Sequence, residues 1–289
     1  KKAFEGELTK DWREKQSDLP SANELLEQIK VERQKHYEQQ LSDWKQAVKL
    51  WEAKGNKEKK PTKPSKQSDF MKIDGENQSN KKLEWLNLSL HSLKTFSIYG
   101  PRFSSNDYVE DGTAVLRTSD ISGNGKVDWI NAPKLSLDDF NYEKYKLIKN
   151  DLLITRTGSI GRISVFNDDK RAIPGAFLIH YRLIQSISIW YIFYFFKSHK
   201  AQNHLIGNSS GIGRPNLNVP NIEKLLLPIP SFKEQHQIVR EIESRLSVCD
   251  KVEESIKESL EKAKALRQSI LKKAFEGTLL SAAEIEKCK

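Results

Sequence analysis

The chain has 289 residues, enough for a globular domain of about 150 residues together with extended elements. It carries 48 Lys and Arg against 39 Asp and Glu, and the resulting net charge of +9 favours a polyanionic partner. Two cysteines are too few for a disulfide framework or a cysteine-rich zinc site. No signal peptide and no apolar stretch of membrane-spanning length is visible, so the sequence predicts a cytoplasmic protein with no membrane partner.

One six-residue phrase occurs twice. It stands as Lys-Lys-Ala-Phe-Glu-Gly at residues 1–6 and at residues 272–277, and each copy is followed by one variable residue and a leucine. We call it the coil-end motif, because the second copy closes a long charged helix on a glycine, the usual helix C-cap. The simplest interpretation of the first copy is that the chain starts on the last turn of an earlier, equivalent coil. A reused helix-ending phrase without architectural meaning is the alternative.

Residues 1–66 predict an N-terminal helical segment and a linker. Apolar residues recur every three or four positions from Ser21 to about Ala53, which indicates a helix. Ser21 and Glu24 form a capping-box pattern at its start, and Gly55 ends it. We expect this helix to pack on the C-terminal coil or on a partner.

In residues 67–230 the sequence pattern is different and consists of short apolar runs separated by Gly, Asn, Asp and Pro. This pattern is typical of strands with inserted helices, so the predicted fold class is α+β, with a mixed strand/helix domain attached to a long coiled-coil helix. The predicted strands lie at 114–116, 152–154, 163–166 and 177–181, and the predicted helices lie at 190–199 and 222–224.

Residues 231–280 predict a long coiled-coil spacer helix, followed by a tail at 281–289. Ser231 is a favourable N-cap and Glu234 completes a second capping-box pattern. An apolar stripe follows with a mean step of about 3.5 residues, the coiled-coil period. A second helix is needed to bury so long a stripe, and Cys249 within it is predicted to be a buried thiol. The stripe consists of Ile242, Leu246, Cys249, Val252, Ile256, Leu260, Ala263, Leu266 and Ile270.

Three polar loops of the central domain combine glycine, hydroxyl and arginine residues. Glycine allows close approach of the backbone, hydroxyls suit phosphate oxygens, and arginine contacts guanine with two hydrogen bonds. Each loop alone also fits a polar turn with a solvated arginine, and three of them in one basic domain favour nucleic acid. The predicted DNA-binding residues are Arg117, Thr118, Ser119 and Lys126; Arg156, Thr157, Gly158, Ser159 and Arg162; and Ser209, Ser210, Gly211, Arg214 and Asn216.

Catalytic patterns are not found in the sequence. The six histidines show no metal-ligand spacing, and there is no nucleophile elbow, P-loop or dinucleotide fingerprint. The sequence therefore predicts a protein that is not an enzyme and that holds no cofactor or metal of its own.

Five stretches of the sequence are together similar to one known family. They are Leu-Leu-Ile-Thr-Arg-Thr-Gly-Ser-Ile-Gly at 152–161, Ser-Ser-Gly-Ile-Gly-Arg-Pro-Asn-Leu at 209–217, Leu-Pro-Ile-Pro-Ser-Phe-Lys-Glu-Gln-His-Gln-Ile-Val at 227–239, the helix ending at 271–277, and Glu-Leu-Leu-Glu-Gln-Ile-Lys at 24–30. The family is that of the DNA-specificity subunits of Type I restriction-modification systems. No single stretch is specific enough, but the combination covers nearly the whole chain.

The resemblance implies a function and a set of partners. Such subunits usually carry two target-recognition domains, each reading half of a split DNA site, held apart by two antiparallel helices. They catalyse nothing and bind methyltransferase subunits, which carry S-adenosylmethionine, and restriction/translocase subunits, which use ATP and Mg²⁺. With one recognition domain, this sequence resembles the C-terminal half of such a subunit, or a half-length version that a homodimer through the coil would complete. The carried-over loop positions are Arg156, Thr157, Gly158, Ser159, Ser209, Ser210, Gly211 and Arg214, whereas Arg117, Thr118, Ser119 and Lys126 rest on chemistry alone.

The predicted function is therefore sequence-specific recognition of double-stranded DNA, with the coil as a ruler between half-sites. A coiled-coil scaffold whose globular domain binds protein instead of DNA is the alternative, and the salt dependence of binding separates the two.

Overall fold

A computed structural model describes residues 1–53, 55, 60–64, 83, 85–209 and 216–279 of the chain. Its contacts divide the chain into two units, residues 1–239 and residues 240–289. The helices are α1 Lys10–Arg13, α2 Ala22–Ala53, α3 Leu90–Leu93, α4 Asp139–Tyr145, α5 Ile189–Phe196, α6 His199–Gly207, α7 Val219–Glu223 and α8 Phe232–Phe275. The strands are β1 Leu86–Ser89, β2 Lys94–Tyr99, β3 Tyr108–Val109, β4 Thr113–Leu116, β5 Lys134–Leu135, β6 Asp151–Thr155, β7 Ile163–Phe166, β8 Ala172–Pro174, β9 Leu178–Leu183 and β10 Leu226–Ile229.

Two four-stranded sheets form the central domain. The first has the order β2-β9-β6-β7 and is antiparallel throughout. The second has the order β3-β5-β4-β8, in which β4 and β8 run parallel. A separate ribbon pairs β1 with β10. The mixed α+β fold with an N-terminal and a long C-terminal helix is confirmed, and the four predicted strands are present within a residue or two at their ends.

The two sheets share one apolar core. Leu153, Phe166 and Leu178 from the first sheet are buried together with Leu116 and Ala172 from the second. Burying each large apolar side chain stabilises the fold by about 1.5–3 kcal/mol. Since the sheets cannot separate without exposing this cluster, the loops at their ends are held at fixed positions.

Helix α2 packs on the central domain through its N-terminal half, and its packing on the coil or on a partner stays a prediction. Leu25 and Ile29 are fully buried. The carboxylate of Glu32 accepts hydrogen bonds from the backbone amides of residues 185 and 186, the second at 3.1 Å, and Arg33 donates to the carbonyl of His91 at 3.1 Å. The capping box at its start is confirmed: the Ser21 amide donates to Glu24 Oε2 at 2.8 Å, and the Glu24 amide donates to Ser21 Oγ at 3.3 Å.

The capping box predicted for α8 is wrong in one half. The Glu234 amide donates to Ser231 Oγ at 3.3 Å, but the Glu234 carboxylate does not return to Ser231. It is buried, and it accepts hydrogen bonds from Thr9 Oγ1 at 2.7 Å, Arg13 Nε at 2.8 Å and Trp85 Nε1 at 3.0 Å. The first turn of α8 is therefore joined to the N-terminal segment by a buried ion pair.

The first coil-end motif is docked on the same part of the domain. The ring of Phe4 meets Tyr191 at 5.5 Å and Phe195 at 5.2 Å between ring centroids, both edge-to-face. Gly6 has φ +79°, and a Cβ atom there would lie 2.7 Å from Leu83 Cδ2. The backbone conformation therefore favours a glycine at this turn, and a side chain there would require the Leu83 side chain to shift.

Helix α8 runs through the predicted coil without interruption. Its apolar stripe is uncovered in the single chain, with Val252, Ile256 and Leu266 each more than half exposed. Cys249 is exposed as well, so the prediction of a buried thiol is wrong for the chain by itself. The second helix that would cover the stripe, and the division of the chain at 66, 230 and 280, stay predictions.

Candidate nucleic-acid interface

Several predicted contact residues lie in loops at one end of the strands of the first sheet. The register pairs Tyr99 of β2 with Ile179, and Thr155 of β6 with Leu178, so β2 and β6 end where β9 begins. Arg156 follows β6, and its amide donates to the carbonyl of Phe177 at 3.0 Å. We call this end of the sheet the loop edge.

The second sheet brings the 117–126 loop to the loop edge. The amide of Gly175, just after β8, donates to the carbonyl of Leu116 at the end of β4 at 2.7 Å. Gly100 also lies here, and a Cβ atom on it would come within 2.2 Å of the Gly175 carbonyl oxygen. Arg162 Nη1 donates to the carbonyl of Ile121 at 3.0 Å, which joins the 117–126 loop to the turn between β6 and β7.

Arg156 is held at the loop edge by two neutral groups. Its guanidinium carbon lies 4.3 Å from the centre of the Tyr99 ring, and its Nε donates to Asn216 Oδ1 at 3.1 Å. Thr157 Oγ1 reaches the same Asn216 oxygen at 3.3 Å, and Thr157 and Asn216 form an antiparallel bridge. Thus the structure brings the predicted residues Arg156, Thr157 and Asn216 together.

The turn after Arg156 presents backbone and small side chains to solvent. Gly158 and Ser159 are exposed, and Gly158 has φ +81° with open space around its Cα. The hydroxyl of Thr155 donates to the carbonyl of Ser159 and accepts from the amide of Arg162 at 2.9 Å. The Thr155 hydroxyl therefore stabilises the backbone of the turn, while Gly158 and Ser159 at its tip stay accessible to a ligand.

Arg117 has a different environment from Arg156. It forms two hydrogen bonds with the buried Asp120, from Nε at 3.0 Å and from Nη2 at 2.9 Å. Its Nη2 also donates to the carbonyl of Asn131 at 2.6 Å. Hydrogen bonding to Asp120 raises the pKa of Arg117. These bonds occupy one side of the guanidinium, which favours a structural role, and a DNA contact by Arg117 stays a prediction.

The remaining predicted contact residues are distributed over the same loops. Thr118 is half-buried, while Ser119 and Lys126 are exposed in the 117–126 loop. Ser209 closes helix α6, where its hydroxyl donates to the carbonyl of Ile206 at 2.7 Å. Ser210, Gly211 and Arg214 lie outside the described residues.

Two aromatic residues of the loop edge were missed by the sequence analysis. Tyr99 supports Arg156, and its hydroxyl accepts a hydrogen bond from the Val219 amide at 3.1 Å. Phe177 is 40% exposed beside Arg156. The only local signal for Tyr99 was its position at a strand end before Gly100 and a proline, which does not distinguish it from an ordinary turn.

Neither a metal centre nor a membrane span is found in the described part of the chain. No group of three or more His, Cys, Asp or Glu side chains is placed to hold a metal ion there. Within the same residues, no helix combines the length and the apolar character needed to span a membrane.

Residues 108–262 match a protein family described as the Type I restriction modification DNA specificity domain. The chain is 34% identical over 181 residues to the Type I restriction enzyme EcoBI specificity subunit of Escherichia coli, which covers 60% of this chain and 37% of that protein. It is 30% identical over 176 residues to the EcoKI specificity subunit of Escherichia coli strain K12, covering 58% of this chain and 38% of that protein. The match thus spans well under half the length of these relatives.

Solved structures show the same fold. A chain from a study of complex assembly and conformational transition of the type I R-M system superposes with a TM-score of 0.55 at 17% identity, covering 89% of this chain and 58% of that one. The HsdS subunit from Thermoanaerobacter tengcongensis gives a TM-score of 0.50 at 18% identity, covering 89% of this chain and 57% of that one. Because the family match takes in the 117–126 and 156–162 loops, Asn216 and the first part of α8, the chain belongs to the family of Type I restriction-modification DNA specificity subunits.

Proposed function

We propose that this chain reads one half of a split double-stranded DNA site through its loop edge. The observation that supports the proposal is that the start of the 117–126 loop, the 156–162 loop and Asn216 meet at one edge, where Arg156 is held by neutral partners and has no carboxylate partner within the described residues. In such an interface, lysines and arginines supply affinity for phosphates, and side chains with free hydrogen-bonding edges discriminate between bases.

The coil is the second part of the proposal. Helix α8 has 44 residues, which corresponds to about 66 Å of α-helix. We propose that its apolar stripe pairs with the helix of another half, in a longer subunit or in a homodimer, and that the pair sets the distance between two half-sites. The exposure of the stripe in the single chain supports this pairing.

The chemistry is assigned to other subunits. We propose that methyltransferase subunits carrying S-adenosylmethionine, and restriction/translocase subunits using ATP and Mg²⁺, dock on this chain, which itself is non-catalytic and cytoplasmic. The support is the family membership alone.

Selection of bound duplexes from a randomised DNA pool tests the proposal. We expect a short enriched sequence, and an affinity for it that falls steeply as salt rises, because phosphate contacts release counterions. Lys126→Ala in the 117–126 loop should weaken all sequences alike and reduce the salt slope, since it removes a cation from the backbone footprint. Lys149→Ala is the control, because Lys149 precedes β6 at the opposite end of the strand and pairs with Asp169.

Two outcomes would contradict this function. Failure to enrich any sequence, with binding that does not depend on salt, would favour the protein-binding scaffold. An equal loss of DNA affinity in Lys126→Ala and Lys149→Ala would show that the 117–126 loop is not part of the interface.

A further inference from the structure

Arg156 differs from three other arginines of the central domain, Arg117, Arg171 and Arg182, in the chemistry of what holds it. Arg117 is paired with the buried Asp120, and Arg182 is paired with the buried Asp151 through two hydrogen bonds of 2.8 Å. Arg171 lies 3.8 Å from an Asp139 carboxylate oxygen. Arg156 instead contacts the Tyr99 ring and the Asn216 amide oxygen, neither of which carries a charge. Its positive charge is therefore oriented, and no carboxylate among the described residues neutralises it.

The supports of Arg156 are themselves fixed by other contacts. Tyr99 ends β2, and its hydroxyl accepts from the Val219 amide at the start of α7. The segment that carries Asn216 is tied back to the arginine's own backbone, because the Leu217 amide donates to the Arg156 carbonyl at 2.8 Å. The guanidinium plane is thus set by the Tyr99 ring at the end of β2 and by Asn216.

One edge of the guanidinium is left open by this arrangement. The Nε–H is used by Asn216, whereas Nη1 and Nη2 make no hydrogen bond or ion pair within the described residues. Two parallel N–H donors on a planar cation match the O6 and N7 acceptors of guanine in the major groove. A guanidinium whose orientation is already set loses less conformational entropy when it forms this pair.

We propose that Arg156 recognises one guanine of the half-site, and that Tyr99 and Asn216 are positioning residues that hold its terminal edge toward the base. This inference rests on the proposed DNA-reading function and adds the base class and the residues that set its recognition. Tyr99 and Asn216 act through Arg156 and need not touch DNA themselves.

The experiment compares base preferences of variants on the sequence enriched by the intact chain. Arg156→Lys keeps the charge but loses the planar pair of donors, so we expect about a ten- to hundredfold loss of preference for guanine at one base pair and an unchanged salt slope. Replacing that guanine with 7-deazaguanine, which lacks the N7 acceptor, should weaken binding by the intact chain but not by Arg156→Lys.

The positioning roles have their own readout. Tyr99→Leu and Asn216→Asp should each reduce preference at the same base pair, the first by removing the supporting ring and the second by neutralising the guanidinium with a carboxylate. Tyr99→Phe, which keeps the ring, should retain most of the preference. In the Arg156→Ala background, Tyr99→Leu should add no further loss at that base pair, because its effect passes through the arginine.

The outcomes separate this inference from the proposed function. If the chain enriches a sequence and Arg156→Lys keeps every base preference, the guanine assignment is overturned while DNA recognition stands. The positioning role would be overturned if Tyr99→Leu reduced base preference at all base pairs and not only at the guanine. It would also be overturned if Tyr99→Leu caused the same loss in the Arg156→Ala background. Thermal unfolding of each variant identifies misfolding, and Asn216→Asp, close to the natural side chain in shape, provides the test if Tyr99→Leu does not fold.

Discussion

At the scale of single residues, the chain uses the same side-chain type for different purposes. Arginine supplies a structural ion pair at Arg117, Arg182 and Arg13, each against a buried carboxylate. A buried pair is costly to break, because removing one partner leaves a charge without compensation in a poorly solvated place. Within the described part of the chain Arg156 has no such partner, and its substitution should therefore affect ligand binding more than folding.

Arg117→Ala should mainly lower stability. Asp120 would lose the two hydrogen bonds from the guanidinium while remaining buried, and we expect a loss of roughly 1–3 kcal/mol in the free energy of unfolding. Lys134→Ala is the control, since Lys134 pairs with a fully exposed Asp111 and surface pairs contribute about 0–1 kcal/mol. Urea unfolding measures both variants. Equal effects would show that the Arg117–Asp120 pair has no special structural role.

The buried Asp151 predicts a dependence of stability on acid. Burial alone would raise the pKa of Asp151, but the hydrogen bonds and charges of Arg182 and His180 together outweigh it, so the pKa lies below its ordinary value. A lowered folded-state pKa adds stability above the unfolded pKa of about 4, and this stability is lost as the pH falls through the folded pKa.

Asp151→Asn should therefore lower the free energy of unfolding at neutral pH by roughly 3–5 kcal/mol, with a difference from the natural chain that shrinks in acid. Denaturant titrations at a series of pH values measure it. Asp138→Asn is the control: Asp138 caps α4 at the surface, asparagine caps equally well, and the change should be small. A difference for Asp151→Asn that stays constant down to the lowest pH would contradict the assignment.

At the scale of elements, α8 combines a start that is buried in the domain with an apolar stripe that is exposed among the described residues. Glu234 and Gln235 in its first turn are buried, whereas Leu246, Val252 and Leu260 are about half exposed or more. Apolar residues at coiled-coil spacing that stay exposed in one chain are expected to be buried by a second helix.

Leu260→Lys should leave the thermal stability of the single chain unchanged and weaken its association with a second helix. The leucine is 53% exposed, so little apolar contact is lost within the chain, but a lysine in the seam would place a charge between two helices. Ser259→Lys adds the same charge one position away from the stripe and serves as the control. Light scattering over a range of concentrations measures association. If both variants associate like the natural chain, the stripe is not the contact surface.

At the scale of the whole molecule, the two copies of the coil-end motif have the same six residues but different surroundings. Both copies form the same turn: the amide of residue 7 donates to the carbonyl of Lys2 at 3.1 Å, and the amide of Thr278 donates to the carbonyl of Lys273 at 2.8 Å. Phe4 packs on α5, whereas Phe275 is 89% exposed. Local sequence therefore determines the turn, and the neighbouring surface determines whether its phenylalanine is buried.

Phe4→Ala should lower the free energy of unfolding by about 1–3 kcal/mol, since it removes two edge-to-face ring contacts and apolar burial. Phe275→Ala, the same substitution in the same six residues, should change it by less than about 0.5 kcal/mol in the isolated chain. Urea midpoints of the two variants give the comparison directly. A larger loss for Phe275→Ala would contradict the exposure of the second copy.

Much of the fold could be predicted from local patterns in the sequence. The bounds of α2 and α8, the strands around Leu153 and Val165, and the glycine-capped coil ends follow from periodicity and capping, which depend on residues within a few positions of each other. The same locality explains why the 156–162 turn was recognised as a place where backbone and arginine are presented together.

Tertiary structure alone decided how these polar groups are used. The Glu234 carboxylate accepts a hydrogen bond from Thr9, which is 225 residues away in the sequence. The guanidinium of Arg156 is oriented by Asn216, which is 60 residues away. Such pairs have no local signature, because hydrogen bonding and burial depend on which surfaces the fold brings together. The sequence by itself determined that three polar loops and a long coil exist; the packing of two sheets around one core decided which arginine is neutralised and which is left with an open edge.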